Sequence, residues 1–429
     1  MIKLYLKQAL VQLRQQPIIS LVSVLGTALA IFLIMLVVMI QQVKVAPFSP
    51  ESNRDRFLHF AFMSISNKEW GDGTSNGPMS EQTAKACFKS LTTPEAVTVY
   101  CCAAITTPAS VPGSPAVSID LRQTDNTFWQ VFDFAFVAGK PYDQATFDSG
   151  RPVAVLTGSV SRALFGTTES VGYEFLLNHA PYKVVGVVKD VSTLASSSYG
   201  QVWIPYTSTD LARDTWSDNH MGMMSVTILA HSRDDFERIR EEVKRMQQQY
   251  NSLLAESGYE LIYRNRPYDQ EKQAIAFAAN WEPDVKAARR QRIIIFVILL
   301  LVPAINLSSM TQSRLRQRVS EIGVRRAFGS TRMEMMGQIV MENLIVTLFA
   351  GLVGLLFSVL FAYLGNSFLF QDYSATLSPP EVNASILLQP STFMYALLFC
   401  FILNFLSTGL PAWKASRTSI VNALGGRTH

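Results

Sequence analysis

Residues 18–40 read IISLVSVLGTALAIFLIMLVVMI, about 23 consecutive positions without a charge. A helix of roughly 20 such residues crosses the hydrocarbon core of a bilayer. A secretory leader has a shorter apolar region, about 7–15 residues, closed by a small-residue cleavage site. Gln41-Gln42-Val43-Lys44 offers no such site, so the run reads as an uncleaved membrane anchor. Three more uncharged runs follow, Ile293–Met310, Leu344–Leu364 and Phe393–Leu410. With their flanks they place spans two, three and four at 292–312, 338–365 and 392–411. Span two contains Pro303 and Asn306 and is expected to kink, because proline frees a carbonyl that neighbouring helices must satisfy. The composition agrees: only 16% of residues are charged and mean hydropathy is +0.18, against about a quarter charged in ordinary soluble domains.

The charges that remain are unevenly placed. Lys3, Lys7 and Arg14 lie in the leader (1–17), six arginines (314, 316, 318, 325, 326 and 332) in the segment between spans two and three (313–337), and Lys414, Arg417 and Arg427 in the tail (412–429). The segment Asn366–Ser391 has no lysine or arginine. Positive residues in short flanks mark the cytoplasmic side, so both termini and the arginine-rich loop are expected inside, with residues 41–291 and the short loop 366–391 outside. Arg289, Arg290 and Arg292 sit at the outer mouth of span two and run against the rule; long translocated domains are largely exempt from it. The fold class is therefore a membrane protein of four transmembrane α-helices, with a large α+β extracytoplasmic domain inserted between helices 1 and 2. Net charge is +4, but the positive residues mark membrane flanks, so nucleic acid is not expected as a partner.

The outer segment mixes strand and helix signals. Strands are expected at Arg56–Ser64, Val97–Ile105, Met224–Ala230 and Tyr259–Arg264. Helices are expected at Ser80–Leu91, capped by Ser80, and at Ser232–Ser257, opened by Ser232 and ended by Gly258. Between these units lies a β-rich block, about 115–200, read as an inserted subdomain with strands near 152–156 and 182–191; Gln201–Tyr206 resumes an extended run. Phe128, Trp129, Phe132, Phe134 and Phe136 crowd together there and read as core. Four cysteines are present. Neighbouring strand residues point to opposite faces, so either Cys101 or Cys102, but not both, could bridge to Cys87; free thiols are the alternative. Cys400 lies in span four and packs.

No catalytic constellation is present in the sequence. The histidines (59, 179, 220, 231 and 429) show no HExxH or other paired metal spacing, and no CxxC exists. Gly323 to Thr331 lacks the lysine and the glycine spacing of a phosphate-binding loop. The chain is not expected to be an enzyme or to hold a cofactor or metal of its own. Within the loop, Leu315, Val319, Ile322 and Ala327 fall near helical spacing with arginines between them, as in a short amphipathic helix at a membrane surface.

Arg318-Val319-Ser320-Glu321-Ile322-Gly323-Val324-Arg325-Arg326-Ala327-Phe328-Gly329 closely resembles the cytoplasmic motif of FtsX-like and MacB-type ABC transporter permeases. Pro411 to Arg417 with Ala423-Leu424 is similar to that family's closing signature, although Ser419-Ile420-Val421 lacks the usual proline. Val153–Ser159, Leu164-Phe165-Gly166 and Tyr182–Asp190 resemble its periplasmic core domain, and Leu6–Gln16 its N-terminal amphipathic helix. The resemblance implies a permease of the bacterial inner membrane, gripped through its loop by an ABC ATPase that uses ATP and magnesium. Glu321, Arg325 and Arg326 would make polar contacts to it, Ile322 and Phe328 would anchor, and Gly323 and Gly329 would permit close approach. MacB carries its nucleotide-binding domain ahead of its first span, where about seventeen residues stand here, so the ATPase is expected as a separate subunit.

Ala350, Gly354, Ser358 and Ala362 recur every four residues in span three, a spacing that lets helices pack closely, either within the chain or against a second copy. The family resemblance favours a second permease copy or paralogue. Three functions fit: an exporter working with a periplasmic adaptor, a signalling scaffold controlling an outer enzyme, and a lipoprotein-releasing permease. Ionisable residues are absent from the apolar runs, where a polar conduit would show some.

Overall fold

The computed structural model describes residues 17–210, 213–365, 369, 387 and 390–417, the side chains of Ile19, Asn306 and Arg417 excepted. The expected leader helix over residues 6–16, with Lys3, Lys7 and Arg14, lies outside these residues. So do most of the loop 366–391 and the closing residues 418–429, which include Ser419 to Val421, Ala423, Leu424 and Arg427. Two compact units divide the chain: an inserted unit, mainly residues 43–285, and a helical unit formed by what precedes and follows it. Helix α1 (Pro17–Val45) is the first described element and runs into the inserted unit.

The inserted unit holds fourteen described strands. They are β1 (Phe57–Phe60), β2 (Met63–Asn67), β3 (Thr74–Gly77), β4 (Ala96–Cys101), β5 (Ile105–Ser110), β6 (Val117–Thr124), β7 (Phe136–Gly139), β8 (Val153–Thr157), β9 (Glu174–Leu177), β10 (Ala180–Val188), β11 (Val202–Pro205), β12 (Met224–Leu229), β13 (Tyr259–Ile262) and β14 (Tyr268–Asp269). Its longer helices are α2 (Glu81–Phe88), α3 (Gly158–Phe165) and α4 (Phe236–Leu254). Helix starts follow their capping residues. Ser80 accepts the Thr83 N–H and Thr157 the Val160 N–H. Ser232 and Asp235 form a capping box that opens a short 3₁₀ turn before α4.

Eleven strands join in one sheet in the order β11-β8-β10-β9-β5-β6-β4-β12-β1-β14, with β7 on β10. A parallel pairing of β11 with β6, Val202 opposite Leu121, closes the first six into a ring. The ring encloses a core that includes Ile119, Leu121, Leu156, Phe175, Val184 and Ile204. Most of this ring comes from the block expected as an inserted subdomain, about 115–200, and β6 joins it to the flanking sheet through the pair Tyr100 and Thr124. At the ring's rim Gly139 takes a positive φ, and a β-carbon there would stand 2.2 Å from the Val185 carbonyl, so only glycine fits.

The flanking sheet carries α2 and α4. Strand β12 is buried along its whole length, as a central strand covered on both faces must be. Phe60, Phe88, Val226, Ile239 and Tyr263 lie in the core beneath the helices. Glu242 of α4 is tied to the approach of β4, accepting the N–H groups of Thr92 at 2.8 Å and Thr93 at 3.1 Å. The aromatic segment forms a third core cluster around Phe128, Phe132 and Trp203, with Trp129, Phe134 and Phe136 packed against it. Two expected strands break. Arg56–Ser64 becomes a 3₁₀ turn, β1 and part of β2, and Val97–Ile105 ends at Cys101 before β5 begins.

In the helical unit α1 is joined by α5 (Val285–Gln317), α6 (Val319–Ala327), α7 (Arg332–Leu364) and α8 (Pro390–Arg417). Four helices, all but α6, are long and apolar enough to cross a membrane. The expected kink in span two is not a break, since α5 runs through Pro303 as one element. One stripe of α5, Leu300, Ala304 and Leu307, is buried, while Ile293, Ile298, Val302 and Ile305 are exposed. A helix apolar on every side belongs in lipid. Phe296 of α5 stacks near Phe399 of α8 at 5.4 Å between ring centres.

Candidate functional site

The motif segment folds as a helical hairpin between two spanning helices. Helix α5 stops at Gln317 because Arg318 leaves helical geometry, and α6 restarts at Val319. Gly329 turns the chain with φ near +100°, a conformation that favours glycine. Thr331 and Glu334 then form a capping box that opens α7.

Three arginine and glutamate pairs brace this hairpin from inside. Arg318 donates through Nε to Glu321 Oε2 and through Nη1 to Glu342 Oε2, both at 2.9 Å. Arg325 donates through Nη2 to Glu321 Oε1 at 2.7 Å and through Nη1 to Gln338 Oε1 at 2.8 Å. Gln338 in turn donates to Glu342 Oε1 at 2.8 Å. The hydrogen bond from Arg318, with burial opposing and both arginine charges helping, holds the Glu321 carboxyl below the usual carboxylate range. Arg318 and Arg325 therefore tie α6 to α7 through Glu342 and Gln338, while Glu321 pairs with both arginines.

The apolar residues separate into two sets. Ile322, 6% exposed, joins Leu315, Met335, Ile339 and Ala412 in a buried cluster. Gly323 is buried with it. The expected anchor Ile322 and the expected point of close approach Gly323 are thus both buried, Ile322 against the chain's own helices. Phe328 is 88% exposed, Met333 72%, and Val324, one helical turn before Phe328, is also exposed. Arg326 is half-buried and Gly329 exposed. The hairpin thus presents an apolar tip on an internally braced base. Glu342 had no role in the sequence reading; its signal is a lone carboxylate inside the limits of span three.

The small-residue stripe is buried at all four positions, Ala350, Gly354, Ser358 and Ala362. A β-carbon on Gly354 would lie 2.4 Å from the Ala28 carbonyl and 3.1 Å from both Ile31 Cβ and the Phe32 nitrogen. The stripe therefore serves contact within the chain, against α1, and Phe32 and Phe361 pack edge to face beside it at 5.6 Å. On the neighbouring face of α7, Gly351 accommodates Cys400 of α8. All four cysteines are free. Cys87 belongs to the core under α2, so neither expected bridge to Cys101 or Cys102 is formed.

Residues 20–246, more than half of the chain, match the MacB-like periplasmic core domain. The chain belongs to that family. Residues 293–420, which contain the braced hairpin and three of the spanning helices, match the FtsX-like permease C-terminal domain. Among curated relatives of this MacB-like chain, the pyoverdine export ATP-binding/permease protein PvdT of Pseudomonas syringae pv. syringae (strain B728a) is 26% identical over 309 residues, covering 70% of this chain and 42% of the relative. The macrolide export ATP-binding/permease protein MacB of Escherichia coli (strain K12) is 24% identical over 327 residues, covering 72% and 46%. The chain spans less than half the length of these relatives. Among solved structures, the periplasmic region of MacB from Actinobacillus actinomycetemcomitans is 19% identical with a TM-score of 0.33, covering 47% of this chain and 88% of that one. The extracellular domain of the ABC-type transporter YknZ from Gram-positive bacteria is 15% identical with a TM-score of 0.34, covering 47% and 99%.

Proposed function

We propose that this MacB-like chain is the permease subunit of an ABC-type exporter in the bacterial inner membrane, driven by an ATPase on a separate subunit. The observation that carries the reading is the hairpin: an exposed apolar tip at Val324, Phe328 and Met333, on a base braced by three ion pairs. A tip of that kind transmits a push only if its base is stiff, and the Arg318–Glu321–Arg325–Glu342 arrangement supplies the stiffness. Support for export comes from relatives whose names join export with ATP binding and permease. No phosphate-binding loop lies within residues 1–429, so in this reading ATP is bound outside them.

In this reading ATP-driven closure of the partner moves the hairpin. Helices α5 and α7 continue from it into the spans, and the inserted domain, outside the cytoplasm, responds. ATP and magnesium belong to the partner ATPase. A second copy or paralogue would complete the permease, and a periplasmic adaptor would receive the substrate. Purifying the tagged chain in mild detergent, with mass identification of what accompanies it, tests the proposal. A stoichiometric P-loop ATPase and ATP hydrolysis in the eluate are expected. A chain that elutes alone and without hydrolysis, even after crosslinking in the membrane, contradicts it.

A further inference from the structure

Within the inserted unit, the chain that follows β14 meets the last turn of α1. A short helix, Gln270–Gln273, is capped by Asp269, which accepts the Lys272 N–H. Its first residue, Gln270, donates through Nε2 to the Lys44 carbonyl at 2.8 Å. Lys44 stands four residues beyond Ile40, the end of the first uncharged run. At about 1.5 Å per helical residue, Lys44 lies about 6 Å past the hydrocarbon edge. The headgroup layer is roughly 5–7 Å deep on each side of a bilayer. Gln270 is therefore tied to a point at headgroup level.

The residues that follow expose two aromatic rings. Phe277 is 76% exposed and Trp281 40%, and their ring centres lie 4.7 Å apart. Left in water, the two rings forgo the burial that large apolar side chains ordinarily gain. The loop that carries them is held in place. Buried Arg266 donates from Nη2 to the Ala278 carbonyl at 3.0 Å. Glu282 accepts from Lys272 Nζ at 2.6 Å and from Asn265 Nδ2 at 2.9 Å. The carboxylate beside Trp281 is thereby matched by a cation. Along the chain come Lys286, Arg289, Arg290 and Arg292, before the uncharged run opens at Ile293. These cations run against the rule for outer flanks, and a layer of lipid phosphates suits them.

We infer that Phe277 and Trp281 dock the inserted unit on the phospholipid headgroup layer, with both rings inserted among the headgroups. Docking there presupposes that α1 crosses the membrane, as proposed for the permease. The tie to Lys44 supplies the height, and the bonds from Arg266, Lys272 and Asn265 hold the rings outward. Tryptophan suits such a layer because its ring is mostly apolar while its indole N–H stays wet. The unit thus gains a second hold on the membrane besides the end of α1.

The test uses the full chain in vesicles of phosphatidylethanolamine and phosphatidylglycerol. Part of the lipid is replaced by phosphatidylcholine brominated near the top of its acyl chains, which quenches nearby indoles. The difference between the parent and Trp281→Phe gives the emission of Trp281. Brominated lipid is expected to quench at least about half of that emission, and aqueous iodide little of it. Trp70, also 40% exposed in the inserted unit, is the control. Its emission, taken by difference from Trp70→Phe, is expected to answer to iodide and not to brominated lipid. Phe277→Asp is expected to weaken the lipid quenching of Trp281 at least about twofold, because a carboxylate is repelled from the layer. Trp281 emission that iodide quenches and brominated lipid does not overturns the inference. Shielding from both quenchers also overturns it, since protein such as a second copy then covers the rings. Flotation of the vesicles on a density gradient reports insertion separately. A chain that does not float with them contradicts the membrane reading itself, and this docking with it.

Discussion

Gly354→Leu is expected to leave little folded chain in detergent, and Gly354→Ala to lower the thermal midpoint clearly. A β-carbon on residue 354 would stand 2.4 Å from the Ala28 carbonyl, and its nearest neighbours on α1 include the backbone nitrogen of Phe32. Backbone cannot swing aside as a flexible side chain can, so α1 and α7 must separate. Overpacking of this kind costs about 1–3 kcal/mol for a small group and more for a large one. Separation would also loosen the packing of Ala350, Ser358 and Ala362, which line the same buried stripe. Gly337, on the same helix with nothing within 4 Å of its added β-carbon, is the control. Gly337→Ala is expected to be neutral or to stabilise by up to about 1 kcal/mol through helix propensity. Fluorescence-detected gel filtration after heating reads all three variants, and equal loss at 337 and 354 would sink the packing argument.

Arg54→Met is expected to cost the inserted unit nearly as much. Arg54 and Glu51 are 2% and 1% exposed and pair at 2.7 Å. Arg54 also donates to the carbonyls of Val43 at 2.9 Å, Ala46 at 3.1 Å and Leu194 at 2.7 Å. Glu51 Oε1 accepts from the N–H groups of Ser197 and Ser198 and from the Ser198 hydroxyl. Removing the arginine strands a buried carboxylate, a change that costs roughly 3–5 kcal/mol. Glu51→Leu combined with Arg54→Met is expected to cost less than the sum of the single changes. The exposed pair Arg213–Asp210 is the control, and its removal is expected to change nothing measurable.

A pH dependence accompanies the pair. Burial pushes the Glu51 carboxyl up, but the Arg54 charge and hydrogen bond, with His59 and Ser198, outweigh it and hold the group below its ordinary value of 4.5. A depressed carboxyl contributes stability that is present above its unfolded value and is lost as pH falls through the folded one. Denaturation of the parent is expected to steepen below about pH 4.5, and Glu51→Gln to flatten that limb. Identical acid limbs in parent and variant would contradict the assignment.

The membrane architecture was legible in the sequence because charge is so costly in hydrocarbon that its absence over twenty residues has one common cause. The caps at Ser80 and Ser232 were legible for a local reason: a side-chain oxygen answers a free N–H within the same turn. The break after Cys101 was not, since Val97–Ile105 has strand character throughout and the bend is met by the distant Met223 carbonyl. Closure of β11 onto β6 is a parallel pairing across about eighty residues, and no local signal announces such a pairing. Charged Glu51 and Arg54 stand beside Pro47, Ser49 and Pro50, a composition common in solvated loops, and no local signal marks them as buried. At the hairpin, Leu315 and Ile322 revealed an apolar face by their spacing, but spacing alone does not say whether it meets lipid or the chain's own helices. The structure turns it inward, which leaves Phe328, the most exposed large apolar residue of the motif, as the outward contact.

The central claim is that this tip drives, or is driven by, an ATPase, and Phe328→Asp tests it most directly. Nothing in the fold depends on an 88% exposed ring, so elution and thermal midpoint are expected to stay unchanged. Co-purified ATPase and ATP hydrolysis are both expected to fall at least about tenfold, the loss of a buried aromatic anchor being worth about 2 kcal/mol or more at an interface. Undiminished recovery and hydrolysis in Phe328→Asp would contradict the account.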